Sequence, residues 1–173
     1  MGFSKGMFSS KTDDWATPQQ FFNNINKKYN FDVDVCATPV NAKCSRYFTK
    51  KQDGLKQKWD GKCWCNPPYG RAIGLWLEKA YKSSVLGAIV ICLVPARTDT
   101  KWWNNWAVKG DIKFIKGRLK FSDLGKPAAF PSAIIIFKPS ITPHWGIFPD
   151  IDVTHEINLW GKDRIPMMAP WLL

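Results

Sequence analysis

The chain has 173 residues, 45% hydrophobic and 23% charged, with 25 Lys and Arg against 14 Asp and Glu for a net charge of +11. That length holds one domain with a sizeable core and excludes two ordinary ones, and the composition is that of a globular chain, not a disordered one. No apolar run is long enough to span a bilayer, and a positive balance of this size favours a polyanionic partner.

Residues 1–14 read as a flexible arm, since Met1–Lys11 is polar and lacks the apolar core of a targeting peptide. Thr17 and Pro18 predict a helix start, Thr as N-cap and Pro at the first helical position. Phe21, Phe22, Ile25 and Tyr29 follow at helical spacing and should face a core. Phe31-Asp32-Val33-Asp34-Val35 alternates apolar and acidic residues and predicts a strand, broken at Cys36-Ala37-Thr38-Pro39. A short strand is expected near Arg46–Thr49 and another over Lys62–Cys65. Beyond Gly70, the spacing of Ile73, Trp76, Leu77, Ala80, Tyr81 and Ser84 suits an amphipathic helix.

Gly87–Val94 is continuously apolar, the pattern of a central strand buried on both faces. Thr98 and Asp99 can cap a helix through Trp102, Trp103 and Trp106. Ile112–Ile115 and Ala133–Phe137 read as the last strands, joined by a long loop containing Gly117, Gly125 and Pro131. The alternation predicts an α/β fold with a mostly parallel central sheet and a terminal antiparallel hairpin. Residues 15–139 form the expected domain; residues 140–173 read as an extension packed on it.

The charge is uneven. Lys43–Lys62 carries seven basic and two acidic residues, and Arg97–Lys126 eight and three, each a net +5. After Pro139 the balance turns to −2, with Lys162 and Arg164 against Asp150, Asp152, Glu156 and Asp163. Two basic stretches therefore bracket the middle of the chain and suit a phosphate-tracking rim. Arg97, Lys101, Arg118 and Lys120 are the candidate nucleic-acid contacts within the second. The five cysteines, Cys36, Cys44, Cys63, Cys65 and Cys92, are odd in number and match no zinc spacing, so reduced thiols and no metal are expected.

Asn66-Pro67-Pro68-Tyr69 follows the third expected strand and carries the most chemistry. Asn66 offers an amide carbonyl as acceptor. Pro67 and Pro68 lack an N–H and have fixed φ, so this backbone leaves any ladder. Tyr69 offers a flat face to a planar ring. Together they can grip the amino group of a heterocycle.

Trp15-Ala16-Thr17-Pro18, Asp34-Val35-Cys36-Ala37, Asp53-Gly54-Leu55 with Trp59, Trp64-Cys65-Asn66-Pro67-Pro68-Tyr69-Gly70 and Val94-Pro95-Ala96-Arg97-Thr98-Asp99-Thr100 occur in that order. In order and spacing they resemble the phage-type Dam family of DNA adenine methyltransferases. The resemblance implies a Rossmann-like class I methyltransferase fold, S-adenosylmethionine as cofactor and the exocyclic amine of adenine in DNA as acceptor, reached by base flipping. It implies that Asn66, Pro67, Pro68 and Tyr69 form the amine pocket. Trp15, Thr17 and Pro18 would border the cofactor's methionine end, Asp34, Cys36 and Ala37 its sulfonium and amino-acid part, and Asp53 and Leu55 its adenosine.

A phage origin implies action in a bacterial host's cytoplasm and evasion of restriction; no obligate protein partner is evident. Methylation of cytosine's amine or a protein glutamine would use the same pocket, and a non-catalytic nucleic-acid-binding module could keep the fold. Two features depart from the family pattern. Cys36-Ala37-Thr38-Pro39 stands where a Gly-rich loop would follow the first strand, and no separate target-recognition domain is present. Sequence preference would then come from loops such as Lys116–Pro131, or be slight.

Overall fold

The computed structural model describes residues 15–121 and 127–139, all within one compact unit, Met1–Ile141. The expected arm, the extension after residue 139 and Gly125 lie outside the described residues. Among the described residues six strands form one mixed sheet in the order β2-β1-β3-β4-β6-β5. The strands are β1 Val33–Asp34, β2 Arg46–Tyr47, β3 Lys62–Cys65, β4 Ile89–Pro95, β5 Asp111–Phe114 and β6 Ser132–Phe137. β1 pairs in parallel with β2 and β3, and β3 with β4. β6 runs antiparallel to both β4 and β5.

Among the described residues three α-helices cover the sheet: α1 Gln19–Tyr29, α2 Ile73–Val85 and α3 Lys101–Asn105. Alternate side chains of a strand point to opposite faces, and β4 uses both. Val90, Cys92 and Val94 pack with Ile73, Trp76, Leu77 and Ala80 of α2. Ile91 and Leu93 pack on the other face with Phe22 of α1, Phe31 and Trp64. The apolar run of β4 is therefore central and buried on both sides, as its lack of alternation implied. Phe21, Ile25 and Tyr29 join Phe22 against the second cluster, so the helical spacing read in α1 marks its inner face.

α1 stops at Asn30, which takes the left-handed conformation (φ 52°) and donates its N–H to Asn26 O at 2.8 Å. This closes the last turn and turns the chain into β1. The strand ladder is shorter than the alternation predicted, although Asp32 N to Lys62 O and Val35 N to Trp64 O (2.8 and 2.9 Å) extend the contact on each side. No helix connects β1 to β2 or β2 to β3. These crossovers are turns and loops, which leaves space above the carboxyl ends of the strands.

Two helix starts differ from expectation. α1 begins at Gln19 with Pro18 as N-cap, and no side chain caps it. Thr17 is instead buried, at 5% exposure, so its hydroxyl is not the helix cap. α3 begins at Lys101 with Thr100 as an extended N-cap, also without a side-chain cap. Thr100 Oγ1 donates to Arg97 O (2.7 Å) and Asn104 Nδ2 to Thr98 O (3.0 Å), so Thr98 and Asp99 belong to the preceding turn. Trp106 follows α3 as its C-cap and leads into a short 3-10 turn, Ala107–Lys109. Trp103 is core, lying parallel to Phe114 with ring centroids 6.2 Å apart.

Candidate active site

β1 has β2 on one side and β3 on the other, so the direction of chain progression reverses beside it. Such a reversal opens a crevice at the carboxyl ends of parallel strands, the usual ligand position in α/β sheets. A cavity of about 520 Å³ lies there. Its walls come from three strand tips: Asp34, Cys36 and Ala37 after β1, Phe48, Thr49 and Lys50 after β2, and Asn66, Pro67 and Pro68 after β3. Trp15, Ala16 and Thr17 close it from the segment before α1, and Asp53 and Gly54 from the turn after β2.

Most of the residues singled out in the sequence therefore meet at one place. Pro18, Leu55 and Tyr69 do not line the cavity. Pro18 is spent on starting α1, and Leu55 packs against the core beneath. Sequence reasoning missed Ala16, Thr38, Asn41, Lys43, Phe48, Thr49, Lys50, Gly54, Trp64 and Trp76 as lining residues. The tip of β2 was the available signal, since it ends beside that of β1 on the same edge.

Asp34 is 2% exposed. Its carboxylate accepts from Cys36 N (3.2 Å) and Lys43 N (3.0 Å), which ties the loop between β1 and β2 around it. Burial pushes its pKa up to about 6, outweighing those two hydrogen bonds and the positive charge of Lys43. At neutral pH the cavity wall thus carries a poorly solvated anion, suited to a cationic ligand group. Asp32 has the other fate: it is exposed and accepts the Lys62 N–H at 2.8 Å, a structural bond between strand ends.

Asp53 sits in a turn at φ 53° and accepts the Leu55 N–H at 3.3 Å. It also faces Lys56 at 3.4 Å. The next residue is held from two sides. A Cβ on Gly54 would lie 2.2 Å from Val35 O and 3.0 Å from the Trp76 ring, so no other residue fits without main-chain movement. Trp59 Nε1 donates to Gly54 O at 2.8 Å in a buried bond. The Asp53-Gly54 pair is a turn, and the same turn forms part of the cavity wall.

Asn66 is fixed at both ends of its amide. Nδ2 donates to the main-chain carbonyl of Trp15, and Oδ1 accepts from the Tyr69 hydroxyl at 2.8 Å. That hydroxyl is also 3.3 Å from Leu93 O. The Tyr69 ring meets Phe121 and Phe130 edge to face, with centroids 6.0 and 5.6 Å apart. Burial pushes the Tyr69 phenol well above its ordinary value, so it stays protonated and able to donate. Tyr69 is half-buried and packs against both core clusters.

Burial also pushes the Cys63 thiol up to about 12, and Cys65, opposite Cys92 in the ladder, well above its usual range. Neither is poised as a thiolate nucleophile. Arg97, Lys101, Arg118 and Lys120 are exposed, and no ion pair joins them to an acid among the described residues. Arg97 and Lys101 follow the carboxyl end of β4, and Arg118 and Lys120 that of β5. β5 runs in the direction of β4, because both are antiparallel to β6. All four thus follow the sheet edge that carries the cavity. No helix among the described residues is long and apolar enough to cross a membrane.

The family model for DNA N-6-adenine-methyltransferase (Dam) matches residues 5–149. The chain is also 34% identical over 65 residues to "Putative methyltransferase YfdM" of Escherichia coli (strain K12), a match spanning 33% of this chain and 71% of that protein. With its cavity at the carboxyl edge of an α/β sheet, this chain is a methyltransferase and belongs to the DNA N-6-adenine-methyltransferase (Dam) family.

Proposed function

We propose that the protein transfers a methyl group from S-adenosylmethionine to the exocyclic amine of adenine in DNA, on a Rossmann-like class I methyltransferase fold. The observation that carries this reading is the shared cavity: Asp34 stands on one wall, and Asn66, Pro67 and Pro68 stand on another. About 520 Å³ is within the range of small-molecule sites. The donor set fits the cofactor. Asp34 supplies a buried anion for its positive groups, Asp53 an acceptor for ribose hydroxyls, and Phe48 and Ala37 apolar surface for its ring. S-adenosylmethionine, when bound, supplies an electrophilic methyl group.

The chain's own residues supply position and polarity. An aromatic amine is a weak nucleophile because its lone pair is delocalised into the ring. Asn66 Oδ1 and the Pro67 carbonyl would each accept a hydrogen bond from the amine, drawing its lone pair out of conjugation and aiming it; one of those amine protons would then be released to water. The proline main chain leaves the ladder here, which frees its carbonyl for this task. The contribution is orientation and preorganised electrostatics. The base arrives by flipping out of the duplex, at a cost of a few kcal/mol, and the exposed cations at the sheet edge hold the flanking phosphates.

Incubating the full chain with isotope-labelled S-adenosylmethionine and DNA free of adenine methylation tests the reading. Nucleoside analysis should place the label on the amino nitrogen of deoxyadenosine. Label on deoxycytidine, on protein alone or nowhere overturns it.

A further inference from the structure

Asn66 Oδ1 is the acceptor that an incoming amine needs, and in the free protein it already has a donor: the Tyr69 hydroxyl at 2.8 Å. The amide cannot turn away, because Nδ2 is held by the Trp15 carbonyl. The hydroxyl can. It carries one proton and stands within reach of a second acceptor, Leu93 O, at 3.3 Å. We infer that Tyr69 is a positioning residue whose hydroxyl holds Asn66 Oδ1 in place of the target amine and passes its hydrogen bond to Leu93 when a base arrives.

The exchange leaves no polar atom stranded. Before it, the phenol satisfies Asn66. After it, the base amine satisfies Asn66 and the phenol satisfies Leu93 O. Phe121 and Phe130 brace the ring edge to face, so the proton can be redirected by rotation about the C–O bond alone. A half-buried amide oxygen that loses its donor gives up part of its hydrogen-bond energy, and this arrangement avoids that loss both with and without substrate. It also weakens the apparent affinity for DNA, because the resting bond must be given up first. This inference rests on the proposed reading of Asn66 as the amine acceptor.

Tyr69→Phe tests it, since the substitution keeps the ring and deletes the hydroxyl. With saturating cofactor and DNA free of adenine methylation, the variant should lower KM for DNA roughly twofold to tenfold, a change in KM larger than any change in kcat. A hydroxyl acting in the chemistry would lower kcat, and a purely structural one would shift melting without splitting KM from kcat. An unchanged or raised KM overturns the inference.

A second measurement is independent of turnover. With asparagine labelled with nitrogen-15, the Asn66 side-chain amide signal should shift between wild type and Tyr69→Phe in the absence of DNA. A signal that does not move removes the resting contact and overturns the inference. If wild type methylates no DNA base, the functional reading fails, and the amide signal still decides whether the hydroxyl holds Asn66.

Discussion

Asn66 donates its amide hydrogen to the main-chain carbonyl of Trp15, a residue 51 positions earlier that lies in no helix or strand. This bond links the segment before α1 to the tip of β3 and makes one wall of the cavity from two distant parts of the chain. It also orients the amide, so that the oxygen and not the nitrogen is offered as acceptor. The side chain placed to hold the substrate thus also helps assemble the site.

Asn66→Ala should separate chemistry from cofactor binding. The acceptor for the amine is lost, and methyl transfer should fall by about 100-fold or more, as when a preorganised polar contact is deleted. Affinity for S-adenosylmethionine, measured by calorimetry, should fall far less than turnover, since the loss of the Trp15 contact loosens one wall and leaves the Asp34 wall in place. Full activity in the variant would remove Asn66 from the mechanism.

Asp34 gives the protein a pH signature. Its native pKa, raised to about 6, lies above the ordinary carboxylate value of 3.8. The native state then holds its proton more tightly than the unfolded chain does. This group's contribution therefore falls as pH rises between about 4 and 6 and is flat above that range, for a total of ~3 kcal/mol. Urea unfolding across that range should show this slope in wild type and lose it in Asp34→Asn. Cofactor affinity should follow the opposite course, rising from pH ~5 to ~7 as the anion forms.

Gly54→Ala should be among the most damaging single-methyl changes. Its Cβ would lie 2.2 Å from Val35 O, a main-chain atom that cannot rotate away. The turn after β2 must shift, straining the buried Trp59 bond and deforming the cavity wall. A loss of about 2 kcal/mol or more is expected in chemical denaturation, together with weaker cofactor binding. A variant as stable as wild type would show that the turn is not packed as described.

The exposed cations should appear in the salt dependence of DNA binding. If Arg118 contacts a phosphate, Arg118→Ala lowers the slope of log affinity against log salt by about 0.9 for duplex DNA. The loss should be nearly the same for unrelated sequences, because phosphate contacts carry no base information. Arg97→Ala should behave likewise. An unchanged slope in both variants would move the phosphate-binding surface elsewhere.

Much of this protein was written along the chain. The run without alternation in β4, the helical spacing of α2 and the position of Asn66-Pro67-Pro68-Tyr69 after β3 are local patterns, since burial imposes periodicity on neighbouring residues. The sequence by itself therefore determined where the central strand lies, which helix covers it and which tetrapeptide holds the amide. It did not determine the partners of that amide, the release of Thr17 from capping duty or the aromatic neighbours of Tyr69. Nor did it show that Phe48, Thr49 and Lys50 complete the wall. Those were decided by tertiary structure, because parallel pairing brings the tips of β1, β2 and β3 to one edge. Contacts across that edge depend on three-dimensional distance and on competition for a limited set of donors and acceptors, neither of which has a period in the sequence.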